Sequence, residues 1–524
     1  MTLPAWLDPL PDATQQRALD EWAIGERGLS SLALMERAGT GLADLVGELA
    51  PCGRVVVVCG KGNNGGDGFV AARRLREHGR EVDVLALAPA QELHGDARAN
   101  AERLPGVPPE SFRVEALAGA AAIVDAILGT GFSGEPRGLV ADAVEAINAR
   151  ADDAVVVACD VPSGVDGSTG EIAGAAVRAR ATATFHRAKP GLWIAPGKAH
   201  AGAVHVIELG IPAGGPARPM IGLIADRVTD SVPRRGRESN KFAAGSLLVC
   251  GGSIGLTGAP CLACEAAMRA GAGYVTALVP ASLSPIFEGR LVEVMTLALA
   301  DQDGALAPTA ADQVLERSAR AGALVLGPGF GREPGAVALV QTLACEVQLP
   351  LLLDADALNA HAGRLKSLAK RSAPTVLTPH AGELGRLLEC ESAAIAARRL
   401  HSARRAAREA GAVVVLKGDD TIIAAPDGCV AVSRGGASAL ATAGTGDVLS
   451  GVIGAYLAKG MDPFHAACAG VFVHASAGRL AAGGVGAEGV IARDVIEALP
   501  RALPARPQSG AGAILPDGRL DRRG

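Results

Sequence analysis

The sequence predicts an α/β protein of two domains, each built on a parallel sheet with helices against it. Three observations carry that prediction. At 524 residues the chain exceeds what one hydrophobic core usually holds. Continuous apolar runs recur at helix-length intervals, the pattern of strands buried on both faces. The composition also breaks once, at PAGGPARPM and SVPRRGRESNK, where proline, glycine and charge lose all periodicity.

In chain order, Ser31 is expected to cap a helix whose apolar positions Leu32, Met35, Leu42, Val46 and Leu49 keep helical spacing. Strands follow at 55–58, 82–87, 121–128 and 155–158, and 204–209 closes the first series. Residues 1–212 are therefore read as the first domain, 213–240 as a linker and 241–503 as the second domain. The second series runs through Ser246–Cys250, Ala323–Leu326, Leu351–Leu353, Thr375–Leu377 and Val413–Leu416. The tail 504–524 is polar and proline-bearing, and is expected to be disordered.

Composition narrows the function. A net charge of −5 gives no reason to expect nucleic acid or an anionic membrane as partner. Aromatics at 3% argue against a base-stacking surface. The ten cysteines form no regular framework. Cys59, Cys159 and Cys250 end apolar runs and read as buried thiols, and Cys261-x-x-Cys264 has no second pair to complete a zinc site. A reducing cytoplasm fits this usage, with no leader expected at the amino terminus and no membrane span.

The stretch VVVVCGKGNNGGDGFVAARRL satisfies the dinucleotide fingerprint G-x-G-x-x-G between a strand and a helix. The acidic residue that would hold a cofactor ribose should close the next strand, whereas Asp83 sits inside it. The loop also carries Asn63, Asn64 and Asp67, more polar groups than a phosphate cradle needs. Asp125 and Asp160 end two further strands, followed by GTGFSG and VPSG. Three such loops at the carboxyl edge of a parallel sheet converge on one pocket. Each alone is equally well read as a turn or a helix cap.

In the second half, Ala443-Gly444-Thr445-Gly446-Asp447 runs into an apolar helix. That places backbone N–H groups at a helix start, where phosphate oxygens bind, with a carboxylate beside them as a general base. A plain N-cap by Asp447 is the alternative. Lys417-Gly418-Asp419-Asp420-Thr421 follows a strand and can meet a nucleotide. Asp354 and Asp356 end another strand, positioned to orient substrate or a hydrated magnesium ion, or simply to cap the next helix. His380 has no second histidine at metal spacing.

Both halves resemble the bifunctional nicotinamide nucleotide repair enzymes. GNNGGDG, VDAILGTGFSGEPRG and CDVPSGVDGSTGE carry the resemblance over roughly 10–212. It implies a Rossmann-like domain that epimerises hydrated NADH and NADPH, interconverting the R and S forms. Asn63, Asn64, Gly65, Gly66 and Asp67 would contact that substrate, as would Gly129, Thr130, Gly131, Phe132, Ser133, Gly134 and Glu135. Asn64, Asp125 and Ser163 match positions that bind potassium, a hard cation suited to their oxygens. Asp160 is the candidate acid/base, with Lys189 either the cation that fixes its charge or a solvated surface lysine.

GGSIGLTGAPCLACEAAMRAGAGYV, LGPGFG, LDADALN, TPHAGE, LKGDDT and ATAGTGD carry the resemblance over roughly 225–503. They imply a ribokinase-like domain that dehydrates the S hydrate with ADP and magnesium. Ala259, Gly329, His380 and Asp447 would contact the hydrate, and Lys417 to Thr421 with Gly446 would hold ADP. Asp447 would deprotonate the ring hydroxyl as it takes a phosphoryl group. Ala443 departs from the glycine common before GTGD. Assembly into a homo-oligomer is expected only by analogy. The rival reading is a ribokinase-like small-molecule kinase whose amino-terminal domain is a non-catalytic binding module.

Overall fold

The computed structural model describes residues 3–235 and 244–503. Its first sheet has seven strands, all parallel, in the spatial order Glu110–Ser111, Val82–Ala86, Val55–Cys59, Ala122–Ala126, Val155–Cys159, Ala181–Phe185 and Ala203–Ile207. Numbered along the chain this is 3-2-1-4-5-6-7, the doubly wound order of Rossmann-like sheets. Val55 and Val57 pack with the helices Ser31–Leu49 and Asn63–Glu77, while Val56 and Val58 pack with Val144 and Ile147 of the helix Leu139–Asn148. Burial on both faces is why these strands read as unbroken apolar runs.

The second sheet has eleven strands. Seven of them are parallel, in the order Met295–Leu299, Tyr274–Pro280, Ser246–Cys250, Ala323–Leu326, Leu351–Leu353, Thr375–Leu377 and Val413–Leu416. Within this half the order is again 3-2-1-4-5-6-7. An antiparallel hairpin, Ile422–Ala424 and Val430–Val432, extends the sheet. Two more strands finish it: Ile221–Ile224, parallel to Val430–Val432, and Leu7–Pro9, antiparallel to Ile221–Ile224.

Those last two strands differ from the sequence reading. The interval 213–240 holds a strand, and residues assigned to the first domain pair into the second sheet. Their partners lie far along the chain, and IGLI among prolines and glycines carries no local signal. Ala181–Phe185 was also missed, because Thr182 and Thr184 interrupt its apolar run although both are buried. The helix Ser31–Leu49 is preceded by Ser30, not Ser31, as its cap, and no side-chain capping bond forms. The expected disordered tail 504–524 and the linker residues 236–243 lie outside the described residues.

The halves touch beyond the shared sheet. The Ala195 N–H donates to Asp420 Oδ2 at 2.9 Å, Lys198 pairs with Asp419, and Arg398 lies 3.7 Å from Glu171. Among the described residues no helix is long and apolar enough to cross a membrane. All ten cysteines are free thiols, and Cys261 and Cys264 are buried in one helix.

Candidate active sites

The winding of the first sheet reverses between Val55–Cys59 and Ala122–Ala126, and a cleft of about 800 Å³ opens there at the strands' carboxyl ends. Asn63, Asn64 and Asp67 line it from the helix Asn63–Glu77, and Gly129, Thr130, Gly131 and Phe132 from the loop after the neighbouring strand. Asp160 and Lys189 complete it. Gly65 and Gly66 do not reach the cleft. They are buried in packing, where a side chain on Gly65 would collide with the Gly60 carbonyl and one on Gly66 with Met35. Ser133, Gly134 and Glu135 are exposed and lie outside the lining, with Glu135 3.7 Å from Arg137. Asp83 pairs with Arg54 at the opposite end of the sheet, away from the cleft.

Asp160 has φ +66°, a left-handed conformation uncommon for a residue with a side chain. Its Oδ1 accepts from Lys189 Nζ at 2.6 Å, and its Oδ2 from the Thr130 N–H at 2.9 Å and from the Thr130 hydroxyl. Lys189 is 1% exposed and donates also to Thr184 Oγ1 and the Phe185 carbonyl, both at 3.0 Å. It is no surface lysine: all three of its protons are placed. Burial pushes the Asp160 carboxyl up, but Lys189 and Thr130 outweigh it and hold Asp160 below the usual carboxylate range.

Beneath this pair, fully buried Asp125 accepts from the Ser163 N–H at 2.8 Å, the Ser163 hydroxyl at 2.6 Å and the Ile127 N–H at 3.3 Å. Burial pushes its carboxyl up to about 6 against those hydrogen bonds. Asn64 Nδ2 donates to the Leu128 carbonyl at 3.0 Å, and Ser163 Oγ lies 3.3 Å from the same carbonyl. Asn64 and Ser163 thus meet at one carbonyl, and Asp125 joins them through Ser163. Amide, hydroxyl and carboxylate oxygens are at hand, and among the described residues the buried carboxylate has no ion-pair partner, which fits a monovalent cation.

In the second half, Ala259, Gly329, His380, Lys417, Gly446 and Asp447 all lie at the carboxyl end of the sheet, beyond four of its parallel strands. The helix Thr445–Ala458 packs across the point where the winding reverses, its Gly454 against Val325 and Leu247. Ala259 lies in the first turn of the helix Gly258–Arg269, which lies so close that a side chain on Gly451 would strike the Ala263 carbonyl. Gly329, at φ +60°, passes beside Leu256.

Asp447 does not cap its helix; Gly444 occupies that position, and no side-chain capping bond forms. Lys417 Nζ lies 3.0 Å from Asp354 Oδ1 and 3.7 Å from Glu383 Oε2, and Ser450 Oγ donates to Asp354 Oδ2 at 2.7 Å. Burial pushes the Asp447 carboxyl up to about 7, reinforced by Asp354 and only partly offset by Lys417. His380 caps the helix Ala381–Leu388, its Nδ1 accepting from the Gly382 N–H at 3.0 Å. Its Nε2 is then left to carry the ring proton.

The stretch Lys417 to Thr421 divides. Lys417 faces Asp354, and a side chain on Gly446 would lie 3.6 Å from its ammonium. Asp419 pairs with Lys198, and Asp420 accepts from Arg399 Nε at 2.8 Å and from Ala195, so both aspartates tie the halves together and do not face the site. Thr421 and Gly418 close their own turn. Asp354 and Asp356 are likewise engaged, Asp356 by the Gly331 N–H at 3.0 Å and Arg332 at 3.2 Å. With Asp354 paired to Lys417 and Asp356 to Arg332, neither is a free carboxylate for direct magnesium ligation. Among the described residues no cluster of His, Cys, Asp or Glu could hold a metal ion. Glu383 and Ser450 escaped the sequence reading; the spacing of Ser450, three residues past Asp447 on one helix face, was the available signal.

Residues 31–191 match the family model described as YjeF-related protein N-terminus, and residues 247–501 that described as NAD(P)H-hydrate dehydratase. A bifunctional NAD(P)H-hydrate repair enzyme from Moorella thermoacetica is 40% identical over 94% of this chain and 96% of its own. One from Salinibacter ruber is 38% identical over 95% and 96%. The crystal structure of the Bacillus subtilis ADP/ATP-dependent NAD(P)H-hydrate dehydratase, co-crystallised with ATP and Mg2+, is 30% identical and covers 53% of this chain and 95% of that one, with a TM-score of 0.46. Similar along nearly its whole length to proteins of one description, the chain belongs to the bifunctional NAD(P)H-hydrate repair enzymes.

Proposed function

We propose that this chain repairs hydrated NADH and NADPH in two steps. The first cleft interconverts the R and S hydrates, and the second site removes water from the S hydrate at the expense of ADP. The observation that carries this reading is that one chain holds two separate aspartate–lysine sites, one with its carboxylate held ionised and one with its carboxyl raised to about 7. A kinase with an idle amino-terminal module has no use for the first.

In the first cleft Asp160, kept charged by Lys189 and oriented by Thr130, takes the proton of the ring hydroxyl. A potassium ion held by Asn64, Asp125 and Ser163 would supply positive charge beside the substrate's polar groups. In the second site Asp447 takes the hydroxyl proton as the oxygen attacks the terminal phosphoryl group of ADP, and Lys417 stands ready beside Gly446 for the phosphates. Magnesium would enter with the nucleotide and neutralise the charge of the transferring group. The phosphate formed leaves with the ring nitrogen's help, the adjacent ring carbon then gives up a proton to form the carbon–carbon double bond, and the reduced nicotinamide returns. Nicotinamide nucleotide is therefore substrate here and not cofactor. We place the activity in the cytoplasm, where free thiols persist.

The test is recovery of near-ultraviolet nicotinamide absorbance from a mixture of both NADH hydrate epimers given ADP, magnesium and potassium. Prompt recovery from both epimers is expected. Recovery from one epimer alone would reduce the first domain to a binding module, and no recovery with ADP or ATP would sink the repair reading.

A further inference from the structure

This inference rests on the epimerase reading of the first cleft and deepens it. Asp160 takes a proton away, and a reaction that opens and recloses a ring also needs one delivered. Asp67 lines the same cleft from the helix Asn63–Glu77 and is 8% exposed. Among the described residues its carboxyl has neither a hydrogen-bond donor nor a cation as partner, although Asp160 has Lys189 and Thr130, and Asp125 has Ser163. An ionised carboxylate left unpaired at such depth is costly, so Asp67 is retained as a neutral acid.

The nearest charged groups reinforce that state: Asp20 faces the cleft from the helix Ala13–Gly25 and Asp160 from the end of Val155–Cys159, and both raise Asp67. Arg17, Lys61 and Glu92 line the same cleft from exposed positions and Asp96 from a half-buried one. The helix Ser31–Leu49 brings Met35 to Gly66 and the backbone of Gly39 to the Asp67 carbonyl. Lys189 is the cation buried here, and it is bonded to Asp160.

We infer that Asp67 is the general acid of the first cleft, giving the substrate a proton as Asp160 removes one. Burial raises the Asp67 carboxyl well above its usual range, Asp160 raises it further, and Lys189 offsets only part. Two carboxyl groups in one cleft with their proton affinities pushed apart are the arrangement that separates an acid from a base.

The step balances. Asp160 takes the proton of the hydroxyl on the hydrated ring carbon, and that O–H pair becomes the second bond of an aldehyde. The carbon–nitrogen bond to the same carbon breaks, its pair goes to the ring nitrogen, and Asp67 protonates that nitrogen. The aldehyde turns its other face. The nitrogen then attacks, returning its proton to Asp67 while Asp160 returns the other to oxygen. Nothing is oxidised and no group is lost.

The experiment uses the full-length chain and follows consumption of the R hydrate, with the chain's own dehydratase reporting the S hydrate. Asp67→Asn should lower the epimerisation kcat by about 100-fold or more, with KM changed only a few-fold and dehydration of the S hydrate untouched. The unmutated chain should lose epimerase activity at alkaline pH as Asp67 ionises, and the residual rate of Asp67→Asn should lack that falling limb. Asp67→Glu, which keeps a proton to give, should retain the limb at a displaced pH. A wild-type kcat in Asp67→Asn, or a residual rate that keeps the alkaline limb, would overturn the assignment. Failure of the unmutated chain to epimerise at all would instead take down the epimerase reading on which it stands.

Discussion

In the first cleft Lys189 donates directly to Asp160; in the second, Lys417 donates to Asp354, and Asp447 sits beside both. The two sheets are wound in the same order, and each site offers an aspartate and a lysine at the carboxyl edge. The charge states nonetheless diverge. Asp160 stays ionised because the cation bonds to it, whereas Asp447 feels a neighbouring carboxylate whose charge the lysine has only partly cancelled. Even the backbone shows the parallel: a left-handed residue follows the strand in each site, Asp160 itself in one and Ala355, next to Asp354, in the other. Which carboxylate the lysine chooses sets the chemistry.

The sharpest break of that comparison is Asp447→Asn. It should lower ADP-dependent dehydration by about 10²- to 10⁴-fold and leave epimerisation intact in the same preparation. Loss of both activities would show that the sites are not separate. Next in size is Lys189→Met, which leaves Asp160 buried without its cation. Epimerisation should fall by about 100-fold at neutral pH, and its acidic limb should move upward, because removing a positive neighbour raises a carboxyl's proton affinity. An unmoved limb would detach Lys189 from the charge of Asp160.

Without mutation, acid should separate the two reactions. Asp447, at about 7, must lose its proton to act, so dehydration falls as the pH drops through that value. At pH 5.5 the expected loss is roughly 30-fold, while epimerisation, whose base lies below the ordinary carboxylate range, keeps most of its rate on this side. Parallel decline of both would contradict the assigned charge states. The smallest effect is expected from Ser450→Ala. It removes one hydrogen bond from Asp354 and leaves Lys417 in place, so dehydration should fall several-fold, consistent with a loss of about 1 kcal/mol. Measured kcat with unchanged affinity for ADP would locate that effect on Asp354.

What the sequence allowed to be read was whatever lay contiguous in it. GNNGGDG, GTGF and AGTGD each place several site residues on one turn, and their loops reach the expected sheet edges. The same motifs also run past the bend: Ser133 to Glu135 lie outside the cleft's lining, and Asp419 and Asp420 are engaged by Lys198 and Arg399. It fell short where a partner is remote. Lys189 could be named from the sequence as a cation for Asp160 but equally as a solvated surface lysine, and nothing near Asp354 announces Ser450 or Lys417. Asp67 was visible as a polar residue; its isolation is a property of the folded cleft alone.

The strand Leu7–Pro9 has a consequence for the order in which the protein takes shape. On the ribosome it emerges before the first domain, yet its pairing partner Ile221–Ile224 must follow that whole domain, and that strand in turn needs Val430–Val432 beside it. The first sheet can close while the opening residues still wait. A strand made before the first domain is thus seated only after much of the second, and a gene cut at residue 212 would send that strand away with the wrong half.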